Sequence, residues 1–251
     1  MQIAFLVLMF ILGAVFGSFL CCQARRLEKP KLPRRSVCLH CKKQLKWYDN
    51  IPIISWCTLM GKCRYCHKKI GILEIISELA SAMAFVSIAI TINVETAELL
   101  TWLEFAAVIL FTISLIFLAI YDGMSGELPN FALVIAAILA ITAIAIPLST
   151  NFNAMPFAAA GLFGGIYLLL YFISKGKWVG DGDWILATMI GLVLGHPWLA
   201  MIALFIANFS ACLIMLPFVK KSKNHQIYFG PFLVLAFVIT YTFSNFFISM
   251  I

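Results

Sequence analysis

Two aspartates beside glycines are the clearest candidates for catalytic residues in this chain. Asp183 closes the run Gly-Asp-Gly-Asp at the mouth of one apolar stretch, and Asp122 directly follows another, FTISLIFLAIY. Two carboxylates that meet in a low-dielectric setting share a proton, because they cannot both ionise cheaply. One can then act as a general base toward a water while the other donates a proton to a carbonyl oxygen. The spacing leaves open the alternative that each aspartate only caps an interfacial helix.

Two cysteine pairs form the second candidate site. Cys38 and Cys41 make one Cys-x-x-Cys knuckle, and Cys63 and Cys66 make another after an interval of 21 residues. Two such knuckles can close a tetrahedral thiolate site around zinc, because each presents its sulfurs from one tight turn. A reducing cytoplasm favours a metal over a disulfide. The alternative is two pairs of free thiols without a metal.

The composition identifies the class of protein in which these residues must be positioned. Of 251 residues, 63% are hydrophobic and 12% are charged, with a mean hydropathy of +1.01. A soluble domain would carry about 25% charged residues. The apolar residues come in runs of roughly 20, the length at which a helix crosses a bilayer core. The sequence therefore predicts an all-α polytopic membrane protein.

The apolar runs predict about eight membrane-spanning helices and one sizeable extramembrane segment. Basic residues follow the first run at Arg25 and Arg26 instead of preceding it, so we interpret that run as a span and not as a cleaved signal. The predicted domains are a first transmembrane helix (1–22), a small four-cysteine zinc-knuckle domain (23–71) and a large transmembrane domain (72–251). The eight predicted spans are 2–22, 72–92, 102–121, 131–148, 156–174, 184–195, 198–219 and 227–250.

The distribution of lysine and arginine predicts the orientation of the chain. Thirteen of the eighteen lie in residues 23–69, and the loops predicted on the opposite side contain none. By the positive-inside rule the four-cysteine domain is cytoplasmic and the N-terminus lies outside. Asp122 and Asp183 then fall at the same, cytoplasmic, face. The net charge of +7 reflects this topology and contact with anionic lipid, and we do not expect a nucleic-acid partner.

These motifs, in this order, resemble the prepilin peptidases, the type IV leader peptidases of the Gly-x-Gly-Asp intramembrane aspartyl protease group. The knuckles together with the segment WYDNIPI are the most specific part of the resemblance. The matching stretches are GSF (17–19), WYDNIPIISW (47–56), GKCRYC (61–66), Glu78, DGMSGELPN (122–130), GDGD (180–183) and FGPFL (229–233).

The resemblance implies an aspartyl endopeptidase of the bacterial inner membrane with Asp122 and Asp183 as its catalytic residues. Asp181 occupies the variable position of the second motif and is expected to face solvent. The substrates would be prepilins or pseudopilins, whose short basic leaders are removed at the cytoplasmic face. The resemblance also implies S-adenosylmethionine-dependent methylation of the new N-terminus. We expect Glu78 to lie at the methyl-transfer site or to pair with a basic loop residue; a simple interfacial acid is the alternative.

Two positions depart from the family pattern. Ile185 stands where members often have lysine, and Cys21 stands where asparagine is usual. Neither change removes a catalytic carboxylate, so leader cleavage is still predicted, while methyl transfer is the activity that these changes put in question. Glu74, one turn before Glu78, is expected to be solvated.

Two other functions compete with this interpretation. One is a membrane transporter or scaffold with a zinc-binding loop, in which Asp122 and Asp183 form an ion site. The other is a zinc protease, which we disfavour because four thiolates leave no open coordination position and the sequence contains no His-Glu-x-x-His.

Overall fold

The computed structural model describes residues 1–30, 33, 36–38, 40–150, 152–176, 178–219 and 228–250. Helices dominate these residues, and within them β-structure is limited to two isolated bridges, Val37 with Gln44 and Lys62 with Lys69. The helices are α1 (Gln2–Glu28), α2 (Ile54–Thr58), α3 (Ile72–Ala89), α4 (Leu99–Ser125), α5 (Asn130–Thr150), α6 (Met155–Ser174), α7 (Asp183–Leu194), α8 (Pro197–Val219), α9 (Gly230–Thr242) and α10 (Ser244–Ile248).

The predicted all-α polytopic membrane architecture is confirmed. Among the described residues, six helices are long and apolar enough to cross a membrane, namely α1, α3, α4, α5, α6 and α8. The helices α7 and α9 are apolar but shorter, with 12 and 13 residues. The predicted last span, 227–250, is interrupted: α9 ends at Thr242 and the separate helix α10 follows.

The chain divides into two compact units, Met1–Ala89 and Ile90–Ile251. In the first unit, α1 packs closely against α3 through small residues spaced four apart. A Cβ on Gly13 would lie 2.6 Å from the Ser81 carbonyl oxygen, and one on Gly17 would collide with the Ser77 carbonyl oxygen. Such small-residue stripes allow two helix backbones to approach in a membrane. The GSF segment thus begins with a glycine that the helix packing requires.

The second unit is a bundle of α4 to α10 in which α6 packs on α7, α8 on α9, and α4 on both α5 and α9. Glycines again permit the closest approach, because a Cβ on Gly191 of α7 would lie 2.7 Å from the Ala159 carbonyl oxygen of α6. Large buried side chains fill the bundle, and Phe111 meets Phe237 edge to face at 5.4 Å between ring centroids. The bundle therefore holds the ends of α4, α7 and α9 in fixed positions.

Candidate active site and metal centre

Asp122 lies in the last turn of α4, which ends three residues later at Ser125. Gly126 adopts the left-handed conformation (φ 73°) and donates its N–H to the Asp122 carbonyl oxygen over 2.8 Å. Glycine suits this C-cap because it has no Cβ to clash at positive φ. A Cβ here would also lie 2.6 Å from the Tyr228 ring. The DGMSG segment is thus a helix stop that leaves Asp122 one turn from the end.

The Asp122 carboxylate is held by the start of α9. Its Oδ2 accepts a hydrogen bond from the Gly230 backbone N–H over 2.9 Å. A Cβ on Gly230 would lie 2.8 Å from the same oxygen, so the carboxylate can come this close only to glycine. The FGPFL motif therefore supplies a backbone hydrogen-bond donor to Asp122, a role that the sequence did not indicate.

Asp183 occupies the first position of α7. Its Oδ2 accepts a hydrogen bond from the Gly180 backbone N–H over 2.9 Å, which closes the Gly-Asp-Gly-Asp turn onto its own carboxylate. Asp181 between the two glycines is exposed, as predicted. The two aspartates of this motif thus differ sharply in environment, and only Asp183 is turned inward.

Asp122 and Asp183 are brought together within the second unit. They are 5% and 7% exposed, and they lie close enough for their charges to interact. The two motifs also touch through Leu128, since a Cβ on Gly182 would lie 2.6 Å from the Leu128 Cδ1 atom. Leu128 follows Asp122 by six residues, so this contact fixes the loop after α4 against the loop before α7.

Both carboxylates sit at the positive ends of short helices. Asp183 begins α7, and Asp122 binds the first N–H of α9, where unpaired amides and the helix dipole favour negative charge. At 1.5 Å per residue, these helices of 12 and 13 residues are only about 18 and 20 Å long. Both are much shorter than a bilayer core of about 30 Å.

Tyr167 and Asn208 form a hydrogen-bonded pair near Asp183 that no sequence motif indicates. Tyr167, in α6, is 1% exposed, and its hydroxyl oxygen accepts a hydrogen bond from Asn208 Nδ2 over 3.1 Å. Tyr167 lies within electrostatic range of Asp183, and its ring packs at 5.5 Å from that of Phe229. This packing ties α6 to the residue immediately before Gly230.

In the first unit the four predicted cysteines meet. The sulfurs of Cys38, Cys41, Cys63 and Cys66 all lie within 4.8 Å of one another, and those of Cys38 and Cys66 are 3.8 Å apart. A tetrahedron with zinc–sulfur bonds of about 2.3 Å has sulfurs separated by about 3.8 Å. The cluster therefore fits a four-thiolate zinc site.

The two knuckles repeat one backbone arrangement. Cys38 donates its N–H to the Lys43 carbonyl oxygen and Lys42 donates back to Cys38; Cys63 pairs in the same way with Lys68 and His67. In each knuckle the residue after the second cysteine has positive φ, 57° at Lys42 and 54° at His67. This turn aims backbone amides at the first sulfur. Burial raises the pKa of the Cys63 thiol, but hydrogen bonds from the amides of Cys66 and Tyr65, together with those of the Cys38 and Cys66 thiols, lower the pKa to about 7.

Glu78 lies in the second turn of α3 and binds the loop that precedes α2. It is 7% exposed, and its Oε2 accepts a hydrogen bond from the Ile53 backbone N–H over 2.7 Å. Ile53 has φ 64°, a conformation that costs a β-branched residue of order 1–3 kcal/mol. Glu78 thus holds the NIPI segment in a strained turn.

A cavity of about 440 Å³ lies beside Glu78 within the first unit. Its lining includes Arg25, Glu74, Glu78, Asp49, Trp56 and the cysteines Cys38 and Cys63. The expectation that Glu74 is simply solvated is wrong: one of its oxygens is paired with Arg25 and the other is buried. The four-residue offset from Glu78, which places both glutamates on one helix face, was the available sequence indication.

Fold and sites together define a multi-pass membrane protein with a buried aspartate pair and a four-cysteine cluster. Residues 11–92 match the bacterial peptidase A24 N-terminal domain, and residues 109–219 match the type IV leader peptidase family. No solved structure matches the chain.

Curated relatives carry the name prepilin leader peptidase/N-methyltransferase. The Vibrio cholerae protein is 26% identical over 96% of this chain and 98% of its own length. The Bacillus subtilis protein is 27% identical over 97% and 96%. The Aeromonas hydrophila protein is 30% identical over 80% and 69%. The chain belongs to the type IV leader peptidase family, as the sequence motifs predicted.

Proposed function

We propose that this protein is a prepilin leader peptidase of the bacterial inner membrane, an aspartyl endopeptidase whose catalytic residues are Asp122 and Asp183. The observation that supports the proposal is the proximity of these two buried carboxylates in the second unit, each of which accepts a hydrogen bond from a glycine N–H. Capping of its own helix does not explain Asp122, because it lies at the C-terminal end of α4, where a carboxylate is unfavourable to that helix.

The reaction follows from a pair that shares one proton. The ionised carboxylate takes a proton from a water whose oxygen attacks the scissile carbonyl carbon, while the protonated carboxyl donates to the carbonyl oxygen. The carbon–nitrogen bond then breaks, and the departing nitrogen receives a proton as the new N-terminus forms. The glycine amides and helix N-termini stabilise the negative charge on the pair without occupying both oxygens of either carboxylate.

The substrates are prepilins or pseudopilins, in which a short basic leader precedes an apolar helix. Such a helix can lie in the bilayer while its leader remains in the cytoplasm. The short helices α7 and α9 support a site that lies below the membrane surface. The helix α7 begins at Asp183, α9 begins at Gly230, which donates to Asp122, and neither helix is long enough to span the bilayer. The proposed orientation has the N-terminus outside and both aspartates at the cytoplasmic face.

The four-cysteine cluster is proposed to hold one zinc ion as a structural centre. Cys38, Cys41, Cys63 and Cys66 would be its ligands, and four thiolates leave no position for a reacting water. The zinc ion would contribute folding energy to the segment between α1 and α3, where the described residues include few buried apolar side chains.

Methylation of the new N-terminus is the second proposed activity, with Glu78 at its site. When bound, S-adenosylmethionine supplies an electrophilic methyl group, so that an N–C bond forms as the C–S bond breaks and sulfur keeps the electron pair. The incoming amine must first lose a proton, and Glu78 is the proposed acceptor. The cavity beside Glu78 fits this use, since its volume of about 440 Å³ lies within the range of small-molecule sites.

The direct test is to incubate the purified protein with a candidate prepilin and to analyse the product by mass spectrometry. We expect a product that lacks its leader, together with a fraction that carries one added methyl group when S-adenosylmethionine is present. A transporter would instead show ion flux that depends on Asp122 or Asp183 and no peptide processing. An intact prepilin after prolonged incubation would contradict the proposal.

A further inference from the structure

Exposed apolar side chains of the first unit are not confined to its membrane-spanning helices. Between α1 and α3, the described residues include three large apolar side chains that are exposed, Trp47 (79%), Ile54 (60%) and Met60 (81%). Ile54 begins the short helix α2, and Met60 follows the end of that helix. Single exposed apolar side chains are ordinary at a protein surface. Their significance therefore depends on where α2 lies relative to the bilayer.

The level at which α2 starts is fixed by α1. A Cβ on Gly17 of α1 would lie 2.9 Å from the Glu78 Cα atom of α3, so these two residues lie side by side. The apolar run of α1 ends at Cys22, five residues later, which is about 7.5 Å farther along the helix. A glutamate side chain is shorter than this distance, and Glu78 Oε2 accepts the Ile53 N–H over 2.7 Å. Because the headgroup layer adds about 5–7 Å to each side of the hydrocarbon core, Ile53 lies at the bilayer interface.

The far end of the α2 segment lies only slightly higher. The Gly61 carbonyl oxygen accepts a hydrogen bond from the Ile70 N–H over 2.7 Å, two residues before α3 begins. A Cβ on Gly71 would lie 3.5 Å from an Arg25 Nη atom, and Arg25 is the first charged residue after the apolar run of α1. The segment 53–61 therefore lies beside the first turns of α3, within the interfacial layer.

Two exposed lysines stand at the polar end of this segment. Lys62 and Lys69 form an isolated antiparallel bridge next to the hydrogen bond between Gly61 and Ile70, and both side chains are exposed. Neither lysine forms an ion pair with another described residue. Like charges directly opposite each other are destabilising, so an anionic group beside them is favourable. The phosphates of anionic lipids carry such a charge at the level of the headgroups.

We propose that α2 is an interfacial membrane element that rests on anionic lipid. Ile54 and Met60 enter the apolar part of the leaflet, and Lys62 and Lys69 bind lipid phosphates above them. The bilayer is the fitting partner because the helices on either side of the segment, α1 and α3, are both long and apolar enough to span it. This inference concerns the first unit alone and does not depend on the proposed peptidase or methyl-transfer activity.

Spin labels on introduced cysteines test this placement in the full-length protein, reconstituted in nanodiscs of phosphatidylcholine and phosphatidylglycerol. The background carries serine in place of the exposed Cys57 and Cys212 and alanine in place of the half-buried Cys22. Labels are attached at Ile54→Cys and at Met60→Cys. Their collisions with oxygen, which is enriched in the apolar core, are compared with their collisions with a nickel chelate, which is confined to water.

Two exposed positions on α1 calibrate the result. Val15 lies two residues before Gly17 within the apolar run, and Glu28 lies beyond that run at the end of the helix. We expect the oxygen-to-nickel ratio at positions 54 and 60 to be several-fold higher than at Glu28 and to approach that at Val15. Thermal melting confirms that each labelled variant is folded, and either test position suffices if the other variant is not. Labels there that meet the chelate as often as the label at Glu28 would overturn the inference.

The contact of the lysines with lipid has its own measurement. Spin-labelled phosphatidylglycerol and spin-labelled phosphatidylcholine report the fraction of each lipid that the protein immobilises. The double variant Lys62→Gln and Lys69→Gln should lose part of the preference for phosphatidylglycerol. The matched control, Lys42→Gln with Lys43→Gln, removes the same charge from two exposed lysines of the first knuckle and should keep the preference. An equal preference in the two double variants would refute the role given to Lys62 and Lys69.

Discussion

At the scale of single residues, the glycines of the site are as informative as the aspartates. Asp122, Asp183 and the four cysteines could be selected from the sequence because their chemistry and local spacing are visible there. Gly230 could not be assigned a role, because its partner Asp122 is 108 residues away along the chain. The strained turn at Ile53 was equally hidden, since no local pattern predicts positive φ for isoleucine.

Gly230→Ala should impair leader cleavage without unfolding the protein. The new Cβ would lie 2.8 Å from Asp122 Oδ2, so the carboxylate must move away from its place beside Asp183. A displacement of about 1 Å at a catalytic group can cost on the order of a hundredfold in rate. The measurement is kcat for prepilin cleavage, with thermal melting as a check on folding.

Gly165→Ala is the matched control, because a Cβ on this helical glycine of α6 would meet nothing within 4 Å. It should cleave at the wild-type rate. Equal rates for the Gly230 and Gly165 variants would show that the Asp122 carboxylate does not depend on the close approach of Gly230.

At the scale of elements, the helices were predictable and their ends were not. Hydropathy runs located every long helix, since about 20 apolar residues in sequence have few alternatives to a membrane helix. The final run, 227–250, predicts one span, but the helix ends at Thr242 and a separate helix follows. Hydropathy cannot predict this end of the helix, because the residues on both sides of it are equally apolar. By contrast, the Cys-x-x-Cys spacing does predict the turns of the two knuckles.

Zinc binding should strengthen as pH rises through neutrality. The metal ligands are thiolates, so protons compete with zinc for each sulfur. In the metal-free domain burial raises the pKa of Cys38 to about 11, and knuckle amides lower that of Cys63 to about 7, so the cluster must release protons to bind at pH 7. Competition with a chromophoric chelator between pH 6 and 8 measures this dependence.

Cys63→Ser should reduce zinc to well below one ion per chain, whereas Cys57→Ser should retain it, because Cys57 is exposed and outside the cluster. A wild-type protein that is purified without zinc and binds none at pH 8 would refute the metal centre.

At the scale of the whole molecule, lysine and arginine counting predicts which loops face the cytoplasm. The rule needs only the chain order of spans, and the six long and two short apolar helices preserve that order. The three basic residues Lys220, Lys221 and Lys223 lie outside the described residues. The sequence predicts only that Asp122 and Asp183 share a face of the membrane; their proximity in the second unit also depends on the packing of α4, α7 and α9.

Impermeant thiol labelling should distinguish the two faces. A cysteine introduced at Glu127 should react only after the inner membrane is permeabilised. One at Phe152 should react in spheroplasts whose inner membrane is sealed. Both positions are exposed. The background carries serine in place of the exposed Cys57 and Cys212. External labelling at position 127 would contradict a cytoplasmic active site.

The most direct test of the aspartate pair is the rate of leader cleavage by Asp122→Asn, Asp183→Asn and the double variant, with Asp181→Asn as the exposed control. Each single substitution should lower kcat by about 10²- to 10⁴-fold, and the double variant should be no slower than the slower single, because the pair acts as a unit. Asp181→Asn should keep most of the activity. Cleavage of prepilin by Asp122→Asn or Asp183→Asn at a near wild-type rate would contradict the account.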